Sequence, residues 1–211
     1  MRYLFYIKLA CNFLPIVFGL WFKTYKEKTM NLVFYILVLM ALLECIEFVC
    51  ILLYHNNLFM MRYHATLQII VYTYYFYHII HSVYKKSIFF VGTLLFFLTL
   101  AFDLMNNNMN ESANYVFAIM SLLFSVYSLM VFYQYFIKTE TDNILQIPAF
   151  WINTGILVYF GGSFILYLFS TIFLTESHVN KLSAFLLTDF LQLVFYLFVI
   201  LGFWKQKTHK K

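Results

Sequence analysis

The chain has 211 residues, of which 64% are hydrophobic and 11% are charged, with a formal net charge of +5. Soluble globular domains are about 45–50% apolar and about 25% charged, so the composition excludes a soluble enzyme domain, a disordered tail and a fibrous repeat. It indicates an integral membrane protein that contacts a lipid bilayer, with no basic domain that could bind nucleic acid.

Seven apolar runs are each long enough to cross a bilayer, which takes about 20 residues of helix. In chain order they cover residues 3–22, 30–54, 64–84, 87–105, 113–137, 149–174 and 182–204. A transmembrane β-barrel would instead show alternating segments of about 10 residues. We predict an all-α fold, a single seven-transmembrane-helix bundle over residues 1–211, and no cleaved signal peptide, because the first run is long enough to span and lacks a small-residue cleavage site.

The lysines and arginines of the connectors predict the orientation, because positive residues accumulate on the cytoplasmic side. One side would carry only Arg2, Arg62 and Lys181. The other would carry Lys23, Lys26, Lys28, Lys85, Lys86, Lys138, Lys205, Lys207, Lys210 and Lys211. The N-terminus is therefore predicted outside and the C-terminus in the cytoplasm.

Ionisable and amide side chains within the spans are the candidate functional residues, because such groups are costly in lipid. At a rise of about 1.5 Å per residue, the acidic residues of the spans all fall in their outer halves. Pairs three residues apart share one helix face. If these faces converge, they form an outward-facing polar pocket, whose predicted ligand-binding residues are Asn12, Glu44, Glu47, Gln68, Tyr72, Asp189 and Gln192.

A purely structural role for the same residues is the alternative. Lys8 and Glu47 would then form one interhelical ion pair, and the amides would join neighbouring helices. His64 and Asp103 lie close enough to the predicted outer ends to be merely solvated. With two or three acids against one base, the pocket would suit a cationic or polar ligand.

The inner ends of the spans carry a second polar group. His78 and His81 are three apart and are predicted to share a face near the inner end of the third span. Together with Trp151, Asn153 and the basic C-terminal segment, they would form a cytoplasmic, signalling-side surface. A metal site would need a further ligand here, so no metal, no other cofactor and no catalytic residue are predicted.

Three functions remain open from the residues alone. A receptor-like protein would bind a small molecule or lipid in the outer pocket and signal to a separate cytoplasmic partner. A solute transporter or proton-coupled carrier would need polar residues that continue through the inner half. A lipid-modifying enzyme is disfavoured, because the nucleophile and metal motifs of known membrane hydrolases are absent, although a carboxylate pair can do acid–base work.

One segment carries a resemblance to a known group of proteins. Residues 148–167 read PAFWINTGILVYFGGSFILY, and the further matching positions are Asn12, Pro15, Glu44, Asn56-Asn57 and His64. These resemble uncharacterised seven-helix membrane proteins of Bacteroidetes-type bacteria that are found near histidine kinase genes. Members often have Glu one turn after this His, where this chain has Gln68. The resemblance implies a sensory role in a bacterial cytoplasmic (inner) membrane, with a cytoplasmic kinase as partner.

Overall fold

The computed structural model describes residues 2–24, 28–54, 57–81, 85–106, 112–138, 143–170 and 178–209, except for the side chains of residues 2–9, 28, 138, 178–185 and 209. This part of the chain forms seven α-helices and one short 3₁₀ helix, Ile144–Gln146. The α-helices are α1 (Arg2–Trp21), α2 (Lys28–Tyr54), α3 (Leu58–Ile79), α4 (Lys85–Asn106), α5 (Asn114–Lys138), α6 (Pro148–Leu168) and α7 (His178–His209). The all-α prediction is confirmed.

Five helical segments are long and apolar enough to cross a membrane: Thr29–Tyr54, Lys85–Asn106, Asn114–Ile137, Pro148–Leu168 and Leu186–Thr208. A shorter apolar segment covers Ala10–Trp21 of α1. Large apolar side chains on the outside of the bundle agree with a lipid environment, since Trp21, Phe90 and Met105 are 72%, 69% and 85% exposed. Soluble monomers rarely expose contiguous apolar surface on this scale.

Neighbouring helices form a closed ring. In order around the ring, α1 packs on α2, α2 on α3, α3 on α5, α5 on α6, α6 on α7, and α7 back on α1. Helix α4 packs on α3 and α5 outside this ring. One end of the bundle carries Lys23 after α1, Lys85 and Lys86 at the start of α4, and Lys205 and Lys207 near the end of α7. We call it the lysine-rich end, and the opposite end is the lysine-poor end.

Helices α6 and α7 approach most closely, and glycines make this possible. A Cβ atom on Gly155 would lie 2.8 Å from the Phe198 Cβ, and one on Gly202 would lie 2.9 Å from the Pro148 carbonyl oxygen. A Cβ on Gly162 would lie 2.6 Å from a Leu191 methyl group. At Gly155 and Gly202 the neighbouring Cβ and backbone oxygen could yield only if the helices moved apart, whereas the Leu191 side chain beside Gly162 can shift. These glycines therefore serve packing.

Aromatic side chains fill the ring toward its lysine-rich half. Phe76 and Phe124 are fully buried, and Tyr127 is 1% exposed. The Tyr127 ring lies 5.5 Å from the Phe76 ring and 4.7 Å from the Phe89 ring, in edge-on arrangements. Such pairs add roughly 0.5–1.5 kcal/mol each beyond the burial of their surface. This half of the bundle is a packed core.

Helix α3 differs from its predicted position. It begins at Leu58 and ends at Ile79, whereas the prediction was residues 64–84, and Ile80 is extended. His78 and His81 therefore do not share a helix face, because His81 follows the end of the helix. Helix α6 begins at Pro148, which occupies the first turn as expected.

Candidate functional site

One cavity of about 370 Å³ lies inside the ring, toward its lysine-poor end. Side chains from α1, α2, α3, α5, α6 and α7 line it, and α4 contributes none of the lining residues. All the residues predicted to bind a ligand border this one cavity: Asn12, Glu44, Glu47, Gln68, Tyr72, Asp189 and Gln192. Their ligand-binding role stays a prediction, but the tertiary fold brings their side chains to one place.

A hydrogen-bonded network forms one wall of the cavity and joins three helices. The Gln192 Nε2 amide of α7 donates to the Glu44 Oε1 of α2 at 2.8 Å and to the Tyr196 hydroxyl oxygen at 2.7 Å. The same nitrogen lies 3.5 Å from the Asn12 Oδ1 of α1. Since one amide N–H₂ group has two hydrogens, the three acceptors share them. Tyr196 follows Gln192 by four residues, which places both on one face of α7.

Buried polar atoms with unused hydrogen-bonding capacity also border the cavity. The residues are Asn12 on α1, Gln68 on α3, Ser121 on α5 and Ser163 on α6, all at most 9% exposed. Within the described part of the chain, the Asn12 Nδ2, Gln68 Oε1, Ser121 Oγ and Ser163 Oγ atoms have no hydrogen-bond partner. Leaving such an atom unsatisfied costs about 1–3 kcal/mol. The cavity is therefore suited to a guest that donates and accepts hydrogen bonds.

An acid–histidine pair lies at the polar, lysine-poor side of the cavity. The His64 Nδ1 lies 2.5 Å from the Glu47 Oε1, and the two side chains are 14% and 18% exposed. This pair links α2 to α3. The expectation that His64 is merely solvated is wrong, because α3 begins six residues before its predicted span. The side chain of Lys8, the alternative partner of Glu47, lies outside the described residues.

Aromatic and aliphatic residues close the cavity toward the lysine-rich end. Leu37, Tyr72 and Phe195 border both the cavity and a separate void of only about 10 Å³. The Tyr72 ring packs 5.1 Å from the Phe124 ring and 5.5 Å from the Phe160 ring. The cavity is thus polar on its sides and apolar at its base, and the aromatic core separates it from the lysine-rich end.

A second charged pair corrects another expectation. Arg62 of α3 donates from Nε to the Asp103 Oδ2 of α4 at 2.7 Å, and the side chains are 4% and 1% exposed. Asp103 was expected to be solvated near the membrane surface, and Arg62 was placed in a connector. Burial of both charges is possible because each neutralises the other. The opposite charges and similar depth of Arg62 and Asp103 could have indicated this ion pair from the sequence.

The predicted signalling-side residues do not form one surface. Asn153 is 1% exposed and donates from Nδ2 to the Ser128 backbone oxygen at 3.0 Å, so it joins α6 to α5 in the interior. Trp151 is half-buried and donates to the Leu145 backbone oxygen at 2.8 Å. His78 is exposed and packs edge-on against Tyr74, with ring centroids 4.5 Å apart.

His81 lies just after the end of α3 and takes part in the contacts of that helix end. Gln134 of α5 accepts a hydrogen bond from the His81 backbone N–H at 2.7 Å and donates to the Ile79 backbone oxygen at 3.2 Å. A side chain of α5 thus satisfies backbone groups that the end of α3 leaves free.

Sequence reasoning missed several cavity residues that carry hydroxyl groups. Tyr159, Ser121 and Ser163 all line the cavity. Tyrosines are frequent throughout this chain, and serines, 10 in all, occur in several of its predicted spans, so the identity of these residues alone gave no signal. Tyr196 could have been inferred from its four-residue spacing to Gln192.

The described residues hold no group of three or more His, Cys, Asp or Glu side chains that could bind a metal ion. Cys11, Cys45 and Cys50 are free thiols. What the arrangement offers chemically is a set of hydrogen-bonding groups and carboxylates above an aromatic base. No family model, curated protein or solved structure matches the chain.

Proposed function

We propose that this protein is a receptor-like membrane protein of seven spans that binds a small molecule or lipid in the cavity. The N-terminus would lie outside and the C-terminus in the cytoplasm, so the cavity would face outward. The observation that carries the proposal is the set of buried polar atoms at the cavity wall, on Asn12, Gln68, Ser121 and Ser163, whose hydrogen-bonding capacity the described residues leave unused.

The size and lining of the cavity restrict the ligand. Small-molecule sites are concave, about 300–1,000 Å³ in volume, and mostly apolar with a few polar groups that orient the ligand. The cavity of about 370 Å³ fits this range at its lower end. Amide and carboxylate groups at the sides and Tyr72 at the base favour a small amphipathic molecule with a hydrogen-bonding head.

The packed base favours a receptor over a carrier. A carrier would have to open a route to the other side by moving helices apart, and the residues below the cavity that would have to separate are aromatic and fully buried, such as Phe76 and Phe124. The helix pair α6–α7 runs from the cavity to the lysine-rich end and is closely packed at Gly155 and Gly162. Displacement of Gln192 or Ser163 by a ligand would therefore move this pair as a unit.

The output side of the proposal concerns the lysine-rich end of the bundle. The inward position of the lysine-rich end follows from the positive-inside rule. The bacterial cytoplasmic membrane and a cytoplasmic kinase as partner follow from the resemblance of residues 148–167 alone. In this proposal, the basic end of α7 and the connectors beside it contact the partner.

Cysteine labelling tests whether the cavity opens outward. In a variant whose native cysteines are replaced by serine, Ser163→Cys introduces a thiol at the cavity wall and Ser128→Cys is the matched control. Both serines are at most 1% exposed, but Ser128 lies outside the cavity. A membrane-impermeant thiol reagent added outside intact cells should label only Ser163→Cys. Equal labelling of the two, or labelling only from the cytoplasmic side, would contradict the proposal.

Ligand retention tests binding. Small molecules released from the denatured purified protein are identified by mass spectrometry, with Ser163→Leu to fill the cavity and Thr99→Leu on α4 as control. We expect one molecule to accompany the unchanged protein and Thr99→Leu, and to be lost from Ser163→Leu. If all three retain the same molecules, the cavity is not the binding site. Net uptake of that molecule into proteoliposomes would identify a carrier instead of a receptor.

A further inference from the structure

We propose a second binding site, for an anionic phospholipid, in the groove between the lysine-rich ends of α1 and α7. The groove has a volume of about 460 Å³ and is lined by Phe18, Trp21, Phe22, Trp204, Lys207 and Thr208. It shares no lining residue with the cavity, so this inference is independent of the proposed function.

The groove walls are aromatic and open to the surroundings. The side chains of Trp21 and Trp204 are 72% and 46% exposed. Tryptophan is enriched where the hydrocarbon region meets the headgroups, because its ring is apolar and its N–H is polar. Two indoles that flank a concave surface, with Phe18 and Phe22 at its base, offer an acyl chain more contact than a convex helix face does.

Lysines at the edge of the groove supply a positive charge. The Lys207 Nζ lies 5.2 Å from the Phe22 ring centroid, and the Lys205 Nζ lies 5.2 Å from the Trp204 ring centroid. Each ammonium group is thus held beside an aromatic ring of the groove. No acidic side chain is among the lining residues that the structure describes.

The end of α1 brings a third lysine to this region. Lys23 is the second residue after α1 and has a φ of 55°, in the left-handed region that commonly terminates helices. Its N–H donates to the Leu20 backbone oxygen at 3.1 Å, and the buried Thr24 hydroxyl donates to the Gly19 backbone oxygen at 3.1 Å. These bonds fix the backbone of the turn, which holds Lys23 at the lysine-rich end of α1, two residues after Trp21.

Charge complementarity selects the lipid. A phosphatidylglycerol headgroup has a net negative charge, whereas the ammonium group of phosphatidylcholine cancels the charge of its phosphate. Basic pockets between membrane helices are suited to anionic headgroups, and each nearby lysine contributes about fivefold to the affinity. Lys205 and Lys207 together should therefore favour the anionic lipid by about 30-fold.

Fluorescence quenching by brominated lipids tests this site, because Trp21 and Trp204 line the groove and Trp151→Phe removes the remaining tryptophan. The full chain is reconstituted in phosphatidylcholine vesicles with a small, equal fraction of brominated phosphatidylglycerol or brominated phosphatidylcholine. We expect stronger quenching by the brominated phosphatidylglycerol. The double variant Lys205→Gln/Lys207→Gln should abolish this difference, whereas Lys85→Gln/Lys86→Gln, the same charge change at the same end of the bundle, should keep it.

Native mass spectrometry of the protein with unchanged tryptophans provides a second measurement, should Trp151→Phe fail to fold. Phosphatidylglycerol should remain bound where phosphatidylcholine with the same acyl chains dissociates. Equal quenching and equal retention of the two lipids would overturn the proposal. So would a loss of the difference in Lys85→Gln/Lys86→Gln, because the preference would then come from the general charge of that end.

Discussion

The buried Arg62–Asp103 pair makes the most direct stability prediction. Asp103→Leu leaves the Arg62 guanidinium, 4% exposed in the native bundle, without the carboxylate 2.7 Å away. Arg62→Met removes the guanidinium that lies 2.7 Å from the 1% exposed carboxylate of Asp103. Breaking a buried pair from one side costs about 3–5 kcal/mol, because the remaining charge loses its hydrogen-bonded counter-charge in a low-dielectric interior.

The double variant Arg62→Met/Asp103→Leu should behave differently from the sum of its parts. It buries no charge and keeps a similar side-chain volume, and such replacements are often neutral or even stabilising. We expect its free energy of unfolding to lie within about 1–2 kcal/mol of that of the unchanged protein, although each single change costs about 3–5 kcal/mol. The coupling energy between the two sites would then be several kcal/mol.

Unfolding by sodium dodecyl sulfate in mixed micelles measures these free energies, with helix content and tryptophan fluorescence as readouts. Met105→Leu on the same α4 helix is the control, because its side chain is 85% exposed and should contribute little. Single-variant effects that add in the double variant to within about 0.5 kcal/mol would refute the reasoning, since independent sites add in this way.

Three further predictions concern helix packing and hydrogen bonds between helices. Gly155→Ala should lower the free energy of unfolding by about 1–3 kcal/mol, because its new Cβ would lie 2.8 Å from a neighbouring side chain. Gly161→Ala is the control: its new Cβ would lie 3.7 Å from the nearest atom, so this variant should be neutral or stabilising in the same assay. Gln134→Ala should speed amide hydrogen exchange at His81 by about 2- to 13-fold, since a bond worth about 0.5–1.5 kcal/mol is lost. Unchanged exchange would contradict that contact. Asn153→Ala should lower the free energy of unfolding by about 1–2 kcal/mol, because the hydrogen bond to the Ser128 backbone oxygen is lost. An unchanged free energy of unfolding would contradict the interior position of this residue.

The candidate site was accessible to sequence reasoning because depth and helix periodicity are local properties. Counting about 1.5 Å per residue along each apolar run placed Glu44, Gln68 and Asp189 at similar depths. The three-residue spacing of Asp189 and Gln192 indicated one shared face. The sequence does not contain the rotation of each helix about its axis. The prediction therefore had to assume that these side chains face one cavity.

Rotation also explains why Asn153 was misplaced. Its position near the start of α6 gave its depth correctly, but an amide at that depth can face the cytoplasm or a neighbouring helix. In the structure it faces α5 and donates to the Ser128 backbone oxygen. Because an amide in an apolar interior is stable only with a partner, the choice depends on a residue 25 positions away.

The start of α3 shows the same limit most clearly. The sequence analysis placed Arg62 in a connector, because an isolated charge is too costly in a buried helix. That cost disappears when Asp103, 41 residues further along the chain, supplies the opposite charge at 2.7 Å.

The sequence by itself determined the lipid environment, the helical class and the shared depth of Glu44, Gln68 and Asp189, because composition, hydrophobic length and helical rise are properties of neighbouring residues. Tertiary structure alone decided which polar groups share the cavity and which charges neutralise each other. Those outcomes depend on contacts between helices that are distant in the chain, and no local pattern records them.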